Sequence, residues 1–117
     1  MMVYHFNRCS KSRKVLNFLI EHQIAHTVID YQKNPPPTEV IADLINRSNH
    51  QASEFVRFGK DLTLDKNDSS DHIIQFLSNN PKHLQRPIVD DGVNVVIARP
   101  LELLRDLPLL SHLFAND

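Results

Sequence analysis

The chain has 117 residues, 41% of them hydrophobic, and a formal net charge of −1 at pH 7. This length fits one domain over residues 1–117 and leaves no room for a second large core. The nearly balanced charge, with no tract rich in Lys or Arg, does not favour a nucleic-acid partner. No apolar run approaches the roughly 20 residues that span a bilayer, so no membrane segment is expected.

The first part of the chain predicts a strand, a helix and a second strand. Met2–Phe6 is short and apolar, which is typical of a strand. Lys11–Glu21 carries apolar residues at helical spacing, and Ser10 or Cys9 would lie at the start of that helix. The β-branched residues within Ile24–Tyr31 favour a second strand. Two strands on either side of one helix predict a right-handed βαβ unit, in which the strands are parallel.

The middle of the chain predicts a helical insertion. After a proline-rich break, Thr38 is expected to cap a helix that carries Val40, Ile41, Leu44 and Ile45 on its apolar face. The polar stretch from Ser48 to Ser70 predicts short helices and loops. Asp71–Ser78 is expected to form another helix, which ends at Asn79-Asn80-Pro81.

The last part of the chain predicts a hairpin and a helix. Pro87–Asp90 and Val93–Ala98 are typical of short strands, and Asp90-Asp91-Gly92 between them favours a tight turn. Pro100 is expected to open a final helix. The resulting order, β-α-β, a helical insertion and then β-β-α, predicts an α/β protein with a thioredoxin-like mixed sheet.

Cys9 is the single cysteine of the chain, so no internal disulfide is possible. Together with the lack of a signal-like basic and apolar N-terminal segment, this favours the reducing cytoplasm. A lone cysteine is often buried and inert. At the start of a helix, however, unpaired backbone N–H groups and the helix dipole favour the thiolate and can hold an oxyanion. Because Arg8, Lys11 and Arg13 add positive charge around it, we interpret Cys9 as a nucleophile.

Three further arginines lie at the edges of apolar segments, where charge is less expected: Arg57, Arg86 and Arg99. A planar guanidinium can donate two parallel hydrogen bonds to a tetrahedral oxyanion. The alternative is that each forms a surface salt bridge, and spacing alone does not decide between the two.

His5 precedes Cys9 by four residues and also has two interpretations. It is either a strand histidine satisfied by hydrogen bonds or an imidazolium that helps to hold Cys9 as the thiolate. The seven histidines are scattered, and no Cys/His pair has zinc-ligand spacing, so no metal site is predicted.

Several short blocks, in order over almost the whole chain, match those of a known family. They are His5-Phe6-Asn7-Arg8-Cys9-Ser10-Lys11-Ser12-Arg13, Pro35-Pro36, Phe55-Val56-Arg57, Arg86-Pro87-Ile88-Val89 and Ala98-Arg99-Pro100. With these blocks the chain resembles the glutaredoxin-dependent arsenate reductase family. The resemblance implies a thioredoxin-like fold with an inserted helical segment and a cis peptide bond before Pro87.

The resemblance also implies a set of roles. Cys9 would attack arsenate, and His5 would lower the pKa of its thiol. The residues implied to bind the substrate and its intermediate are Arg57, Arg86, Arg99, Ser10, Lys11, Ser12 and Arg13. Glutathione would be the co-substrate, glutaredoxin the protein partner, and no cofactor would be bound. One cysteine is enough in this scheme because the resolving thiols come from outside the chain.

Some positions depart from the family pattern, and two other functions stay open. Phe6 and Asn7 stand where most members have Asn-Pro, and Gln85 stands where an asparagine is common. One alternative is a relative that acts on another substrate or has no arsenate activity. The other is a redox-responsive regulator of the same superfamily that binds RNA polymerase. Such regulators commonly carry Cys-X-X-Cys, whereas Ser12 occupies the second position here.

Overall fold

The computed structural model describes residues 1–59, 62 and 64–114. Its helices and strands are β1 (Met2–His5), α1 (Ser10–Glu21), β2 (Thr27–Asp30), α2 (Thr38–Asn46), α3 (Ser70–Asn79), β3 (Ile88–Asp90) and β4 (Val95–Ile97). Short 3₁₀ segments lie at Ala52–Phe55, Pro81–His83, Leu101–Asp106 and Ser111–Phe114. Positions 60, 61 and 63, within the stretch predicted as short helices and loops, lie outside the described residues.

The four strands form one mixed sheet in the order β2-β1-β3-β4. β1 and β2 are parallel, and Tyr4 pairs with Ile29 in that ladder. β1 and β3 are antiparallel, as are β3 and β4. Asp91 and Gly92 form the turn of this last hairpin, and Gly92 supplies the positive φ of 98° that a side chain would resist. The predicted α/β class, the βαβ unit and the hairpin are therefore confirmed.

Alternating strand residues divide the core between the two faces of the sheet, as the two-residue period of a strand requires. Val3, Val89 and Val96 pack on one face with α1 and the C-terminal 3₁₀ segments. Tyr4 and Ile88 point to the opposite face, where α2, α3 and the segment at Ala52–Phe55 cover them. The sheet is thus a central layer with helical cover on both sides.

The C-terminal segment differs from the predicted helix that Pro100 was expected to open. Pro100 precedes the first 3₁₀ segment instead of forming its first residue. The buried Leu104, Leu107 and Leu110 recur every three residues. Leu104 lies in the 3₁₀ segment Leu101–Asp106, whereas Leu107 and Leu110 lie between the two C-terminal 3₁₀ segments, so short turns carry the buried leucines in place of one α-helix. Pro108 also disfavours α-helical geometry at Leu107.

The predicted cap of α2 is also wrong by one position. α2 begins at Thr38, and the preceding cap residue is Pro37, which makes no side-chain capping bond. The Thr38 hydroxyl instead donates to the Glu39 carboxylate at 3.3 Å. The strands β1, β2 and β4 are one to four residues shorter than the segments that composition suggested, because strand propensity does not fix where ladder pairing stops.

The strand directions explain how distant segments meet. β1 ends next to Cys9, β3 begins just after Arg86, and β4 ends just before Arg99. Because β3 is antiparallel to both of its neighbours, the end of β1, the start of β3 and the end of β4 lie at one edge of the sheet. Among the residues that the structure describes, no helix is long and apolar enough to cross a membrane.

Candidate active site

Cys9 lies at the junction of β1 and α1, as the N-cap residue of that helix. Its backbone is extended, with φ −91° and ψ 120°, and its N–H donates to the Phe6 carbonyl at 3.0 Å. Its own carbonyl accepts the first helical hydrogen bond, from the Arg13 N–H at 3.1 Å. The thiol is half-buried. The sequence prediction that the cysteine begins the helix is confirmed.

The surroundings of Cys9 stabilise its thiolate. Partial burial raises the pKa of the thiol, but the backbone N–H groups of Ser12 and Lys11 oppose it, as do the Ser12 hydroxyl and the Arg99 guanidinium. Their combined effect lowers the pKa of Cys9 from 9.0 to about 7. Half of the molecules therefore carry the nucleophilic thiolate near neutral pH, which is the form that attacks an electrophile.

A cavity of about 330 Å³ opens in front of the Cys9 sulfur. Most of the residues that line it are polar or cationic. The lining residues are Phe6, Arg8, Cys9, Ser10, Lys11, Arg57, Arg86 and Arg99. The cavity contains all three of the arginines that the sequence analysis singled out at segment edges. Spacing could not establish their convergence. The pairing of β3 with β1 and β4 brings Arg86 and Arg99 together, and the bridge between Val56 and Leu84 brings Arg57 to them.

The three predicted arginines differ in exposure. Arg86 is buried, with 7% of its surface exposed, whereas Arg57 is exposed and Arg99 is intermediate. Arg99 bridges two parts of the site, since its Nη1 lies 3.8 Å from Cys9 Sγ and 3.4 Å from the Arg86 carbonyl oxygen. The Arg86–Pro87 peptide bond is cis, as the resemblance implies, and so is the Arg99–Pro100 bond, which the sequence analysis did not foresee.

Two residues that were predicted to bind the substrate take other positions. Arg13 is exposed, and its Nη1 donates to the Asn7 carbonyl at 2.9 Å, so it braces the loop before Cys9 instead of facing the cavity. Ser12 is fully buried, and its hydroxyl accepts from the Phe6 N–H at 3.5 Å. Ser12 therefore acts on the sulfur of Cys9 and on the loop, whereas Ser10 and Lys11 line the cavity.

His5 is a buried strand residue, with 6% of its surface exposed. Burial lowers the pKa of its imidazole, and the neighbouring Asp30 carboxylate only partly opposes this. These surroundings favour the neutral ring of a buried strand histidine, the first of the two interpretations, and the role of His5 in holding Cys9 as the thiolate stays a prediction. Within the described part of the chain, His5 Nδ1 is buried without a hydrogen-bond partner.

Two residues that shape the site, Phe6 and Tyr31, were not predicted as site residues, and Arg8 was predicted only to add positive charge around Cys9. Arg8 lines the cavity, directly before Cys9 in the sequence. Phe6 also lines the cavity. Tyr31 is fully buried and contacts Arg86 from below the cavity; nothing in its strand-like sequence context marks it. Among the described residues, no cluster of three or more His, Cys, Asp or Glu side chains could hold a metal ion.

A mixed sheet of this topology, with a cysteine at the first helix and three arginines before it, defines a thioredoxin-like protein with a single activated thiol. The chain belongs to the ArsC family, whose sequence profile matches residues 4–107. The match includes Cys9 and all of the residues that line the cavity.

Relatives and solved structures agree with this family. The chain is 35% identical over 111 residues to an uncharacterised protein of Escherichia coli K12, a match that covers 90% of this chain and 93% of the relative. It is 33% identical over 106 residues to a protein of Neisseria meningitidis named arsenate reductase, covering 86% and 91% of the two chains. A solved arsenate reductase structure from Vibrio cholerae superposes with a TM-score of 0.82, at 29% identity over 92% of this chain and 98% of that one.

Proposed function

We propose that the protein reduces arsenate to arsenite, with Cys9 as the nucleophile. The observation that carries the proposal is the activated sulfur of Cys9, with a pKa of about 7, at a cavity into which Arg57, Arg86 and Arg99 converge. Membership in a family whose relatives are named arsenate reductases supports arsenate as the oxyanion.

The arginines suit both the substrate and its first intermediate. Arsenate is a tetrahedral anion, and guanidinium groups donate to such oxygens with charge-assisted hydrogen bonds. The backbone N–H groups at the start of α1 add further donors. These donors stay in place while the sulfur attacks, so they stabilise the negative charge on the oxygens as it builds up.

The proposed reaction begins at the sulfur of Cys9. The thiolate attacks arsenic(V), an S–As bond forms, and one oxygen leaves as water after it takes up protons. The resulting thiol-arsenate ester still holds arsenic(V), because no electron has been transferred at this stage. Arg99, 3.8 Å from the sulfur, is placed to contact both the thiolate and the arsenate oxygens.

Two external thiols complete the proposed reduction. Glutathione, the co-substrate, attacks arsenic in the ester, so that an As–S bond to glutathione forms and a second oxygen leaves as water. A thiol of glutaredoxin then attacks the glutathione sulfur, the As–S bond to glutathione breaks, a glutathione–glutaredoxin disulfide forms, and its electron pair reduces arsenic(V) to arsenic(III), still bound to Cys9. Water finally cleaves the Cys9 S–As bond, which releases arsenite and the free Cys9 thiol. External thiols are required because Cys9 is the single cysteine of the chain. Free glutathione and a functional single thiol fit the reducing cytoplasm, in which we place the protein.

The test is a coupled assay with purified protein, arsenate, glutathione and glutaredoxin, in which arsenite is measured directly. We expect arsenite to form, and omission of either thiol component to stop turnover. Cys9→Ser should reduce the rate to the uncatalysed background, because a hydroxyl at this position is not ionised at neutral pH. Arg99→Ala should lower kcat/KM roughly ten- to a hundredfold, the worth of a charge-assisted hydrogen bond.

The matched control is Arg105→Ala, which removes an exposed arginine of the C-terminal 3₁₀ segment; turnover should not change. Turnover that persists in Cys9→Ser would remove this residue from the mechanism. No arsenite from the unmodified protein, despite a thiol that titrates near 7, would favour the alternative of a family member with another substrate. Turnover with glutathione alone would exclude glutaredoxin as an obligatory partner.

A further inference from the structure

Arg86 is a buried cation with no anionic partner among the residues that the structure describes. Its side chain is 7% exposed, and no carboxylate pairs with it anywhere in residues 1–59, 62 and 64–114. A buried charge is costly unless it is paired or well hydrogen-bonded. The question is therefore what holds this guanidinium at the cavity wall.

One nitrogen of the Arg86 guanidinium, Nη1, is held by hydrogen bonds to oxygen atoms of the protein. Nη1 donates to the Lys82 carbonyl at 2.9 Å and to the Leu84 carbonyl at 3.3 Å, and it lies 3.5 Å from the Tyr31 hydroxyl. The Tyr31 hydroxyl in turn donates to the Leu84 carbonyl at 2.9 Å. Nε, in contrast, is buried without a hydrogen-bond partner among the described residues. Arg86 therefore retains donor capacity that the protein does not use.

The other part of the answer is the ring of Phe6. The guanidinium carbon of Arg86 lies 4.1 Å from the centroid of that ring. A cation over an aromatic face is attracted by the ring quadrupole. This contact takes up none of the N–H donors and adds no negative charge, whereas a carboxylate would do both. Phe6 itself also lines the cavity, so the stacked pair forms part of its wall.

We propose that Phe6 is a positioning residue, whose ring fixes the plane of the Arg86 guanidinium beside Cys9 and leaves the remaining donors to the bound oxyanion. The inference rests on the oxyanion-binding role proposed above. Phe6 also packs against Tyr31, with 6.0 Å between the ring centroids. If this packing were its only role, replacing Phe6 by another apolar side chain would leave the anion affinity unchanged.

The experiment measures the affinity of the full chain for inorganic sulfate and inorganic arsenate by NMR titration. Phe6→Leu keeps an apolar side chain and removes the ring, and should weaken both anions about three- to thirtyfold. Phe6→Tyr keeps the ring and should stay within about twofold of the unmodified protein. The pKa of Cys9, measured by alkylation, should not move in either variant, because it depends on Ser12, Lys11 and Arg99.

A double-mutant cycle separates positioning from packing. In an Arg86→Met background, Phe6→Leu should cause no further loss of affinity, since no guanidinium is left to orient. If Phe6→Leu does not fold, the unmodified protein still gives a readout: the Arg86 Nε–H resonance should be displaced upfield by the ring and should respond to sulfate.

Three results would overturn the positioning role. They are an unchanged affinity in Phe6→Leu, an equal loss in the Arg86→Met background, and an unmodified protein that binds neither anion. Failure of the proposed function looks different. In that case sulfate and arsenate bind in a Phe6-dependent manner, but no arsenite is formed.

Discussion

Arg47 and Arg86 lie at opposite ends of β3 and have opposite surroundings. Arg47 contacts Asp90, the last residue of β3, through two hydrogen bonds of 2.6 and 2.8 Å. It also donates to Asp43 from Nε and Nη2, at 3.1 and 2.8 Å. Arg86, just before the same strand, has carbonyl and hydroxyl oxygens and the face of Phe6 around it. Carboxylates neutralise Arg47, whereas none of the described residues forms an ion pair with Arg86.

This difference separates a structural arginine from one that can bind a ligand. The hydrogen bonds from Arg47 lower the pKa of Asp90, against the opposing effect of burial. The Arg47–Asp90 ion pair connects the end of α2 to the hairpin, and its two charges cancel. Arg86 has no carboxylate partner in the part of the chain that the structure describes, and it lines a cavity together with Arg57 and Arg99. Stability should therefore depend on Arg47, and anion affinity on Arg86.

The largest expected effect comes from Arg47→Met. It leaves Asp90, whose side chain is 9% exposed, as a charge without its partner. We expect a loss of about 2–4 kcal/mol in the free energy of unfolding, which lowers Tm by roughly 10 °C. Denaturant unfolding and calorimetry measure this. Arg86→Met is the matched control and should change stability by less than about 1 kcal/mol, since it removes a buried charge that pairs with no carboxylate over residues 1–59, 62 and 64–114.

The pH dependence of this loss sharpens the comparison. The pKa of Asp90 is lower in the folded protein than its ordinary value of 3.8. Its ion pair therefore contributes fully above that value and is lost as the pH falls through the folded pKa. The stability difference between the unmodified protein and Arg47→Met should be constant at neutral pH and shrink in acid. Equal losses of stability in Arg47→Met and Arg86→Met would contradict the distinction between Arg47 as a structural arginine and Arg86 as a ligand-binding one.

The sequence predicted the elements of the fold well because their signals are local. Apolar spacing places α1 and α3 to within one residue, and Asp91-Gly92 marks the hairpin. The C-terminal helix failed because Pro100 was taken as the opening residue of an α-helix, whereas the segment that follows it, Leu101–Asp106, is a 3₁₀ helix. Local propensity does not distinguish a 3₁₀ segment from an α-helix, because the choice depends on which residues are buried.

The site was predictable for Cys9 and less so for its surroundings. The position of Cys9 depends on a strand-to-helix junction that is visible in the sequence. The convergence of Arg86 and Arg99 depends on ladder pairing between distant segments. The same holds for Arg47, whose partner Asp90 is 43 positions away. Arg13 and Arg8 both lie near Cys9 in sequence, and only side-chain direction decides that Arg8 lines the cavity while Arg13 braces the loop.

A medium-sized effect is expected at Cys9 when Arg99 is removed. The rate of alkylation by iodoacetamide should rise with pH to a half-maximum near 7 in the unmodified protein. In Arg99→Ala the midpoint should move up by about half a pH unit to one unit, because one of several stabilising donors is lost. It should stay below the ordinary value of 9.0, since the backbone N–H groups of Lys11 and Ser12 remain.

The control for this titration is Arg57→Ala. Arg57 lines the same cavity but is not among the groups that shift the pKa of Cys9, so the midpoint should not change.

The ionisation of the Cys9 thiol also affects the free energy of unfolding. Between pH 7 and 9 the folded state holds the thiolate while the unfolded state keeps its proton, so stability rises with pH relative to Cys9→Ser. A midpoint near 9 in the unmodified protein would contradict the assignment of Cys9 as an activated thiol.

The smallest expected effect is that of Asp43→Asn, which tests which carboxylate neutralises Arg47. Asp43 is 58% exposed and pairs with Arg47 one turn away on α2, so water and salt screen the interaction. Its loss should cost about 0.5 kcal/mol, the usual worth of a surface ion pair, and less still in high salt. Unfolding in low and high salt measures this. A loss of unfolding free energy as large as that of Arg47→Met would mean that Asp90 is not the principal partner of Arg47. The burial of the Asp90 carboxylate would then not account for the stability at this end of β3.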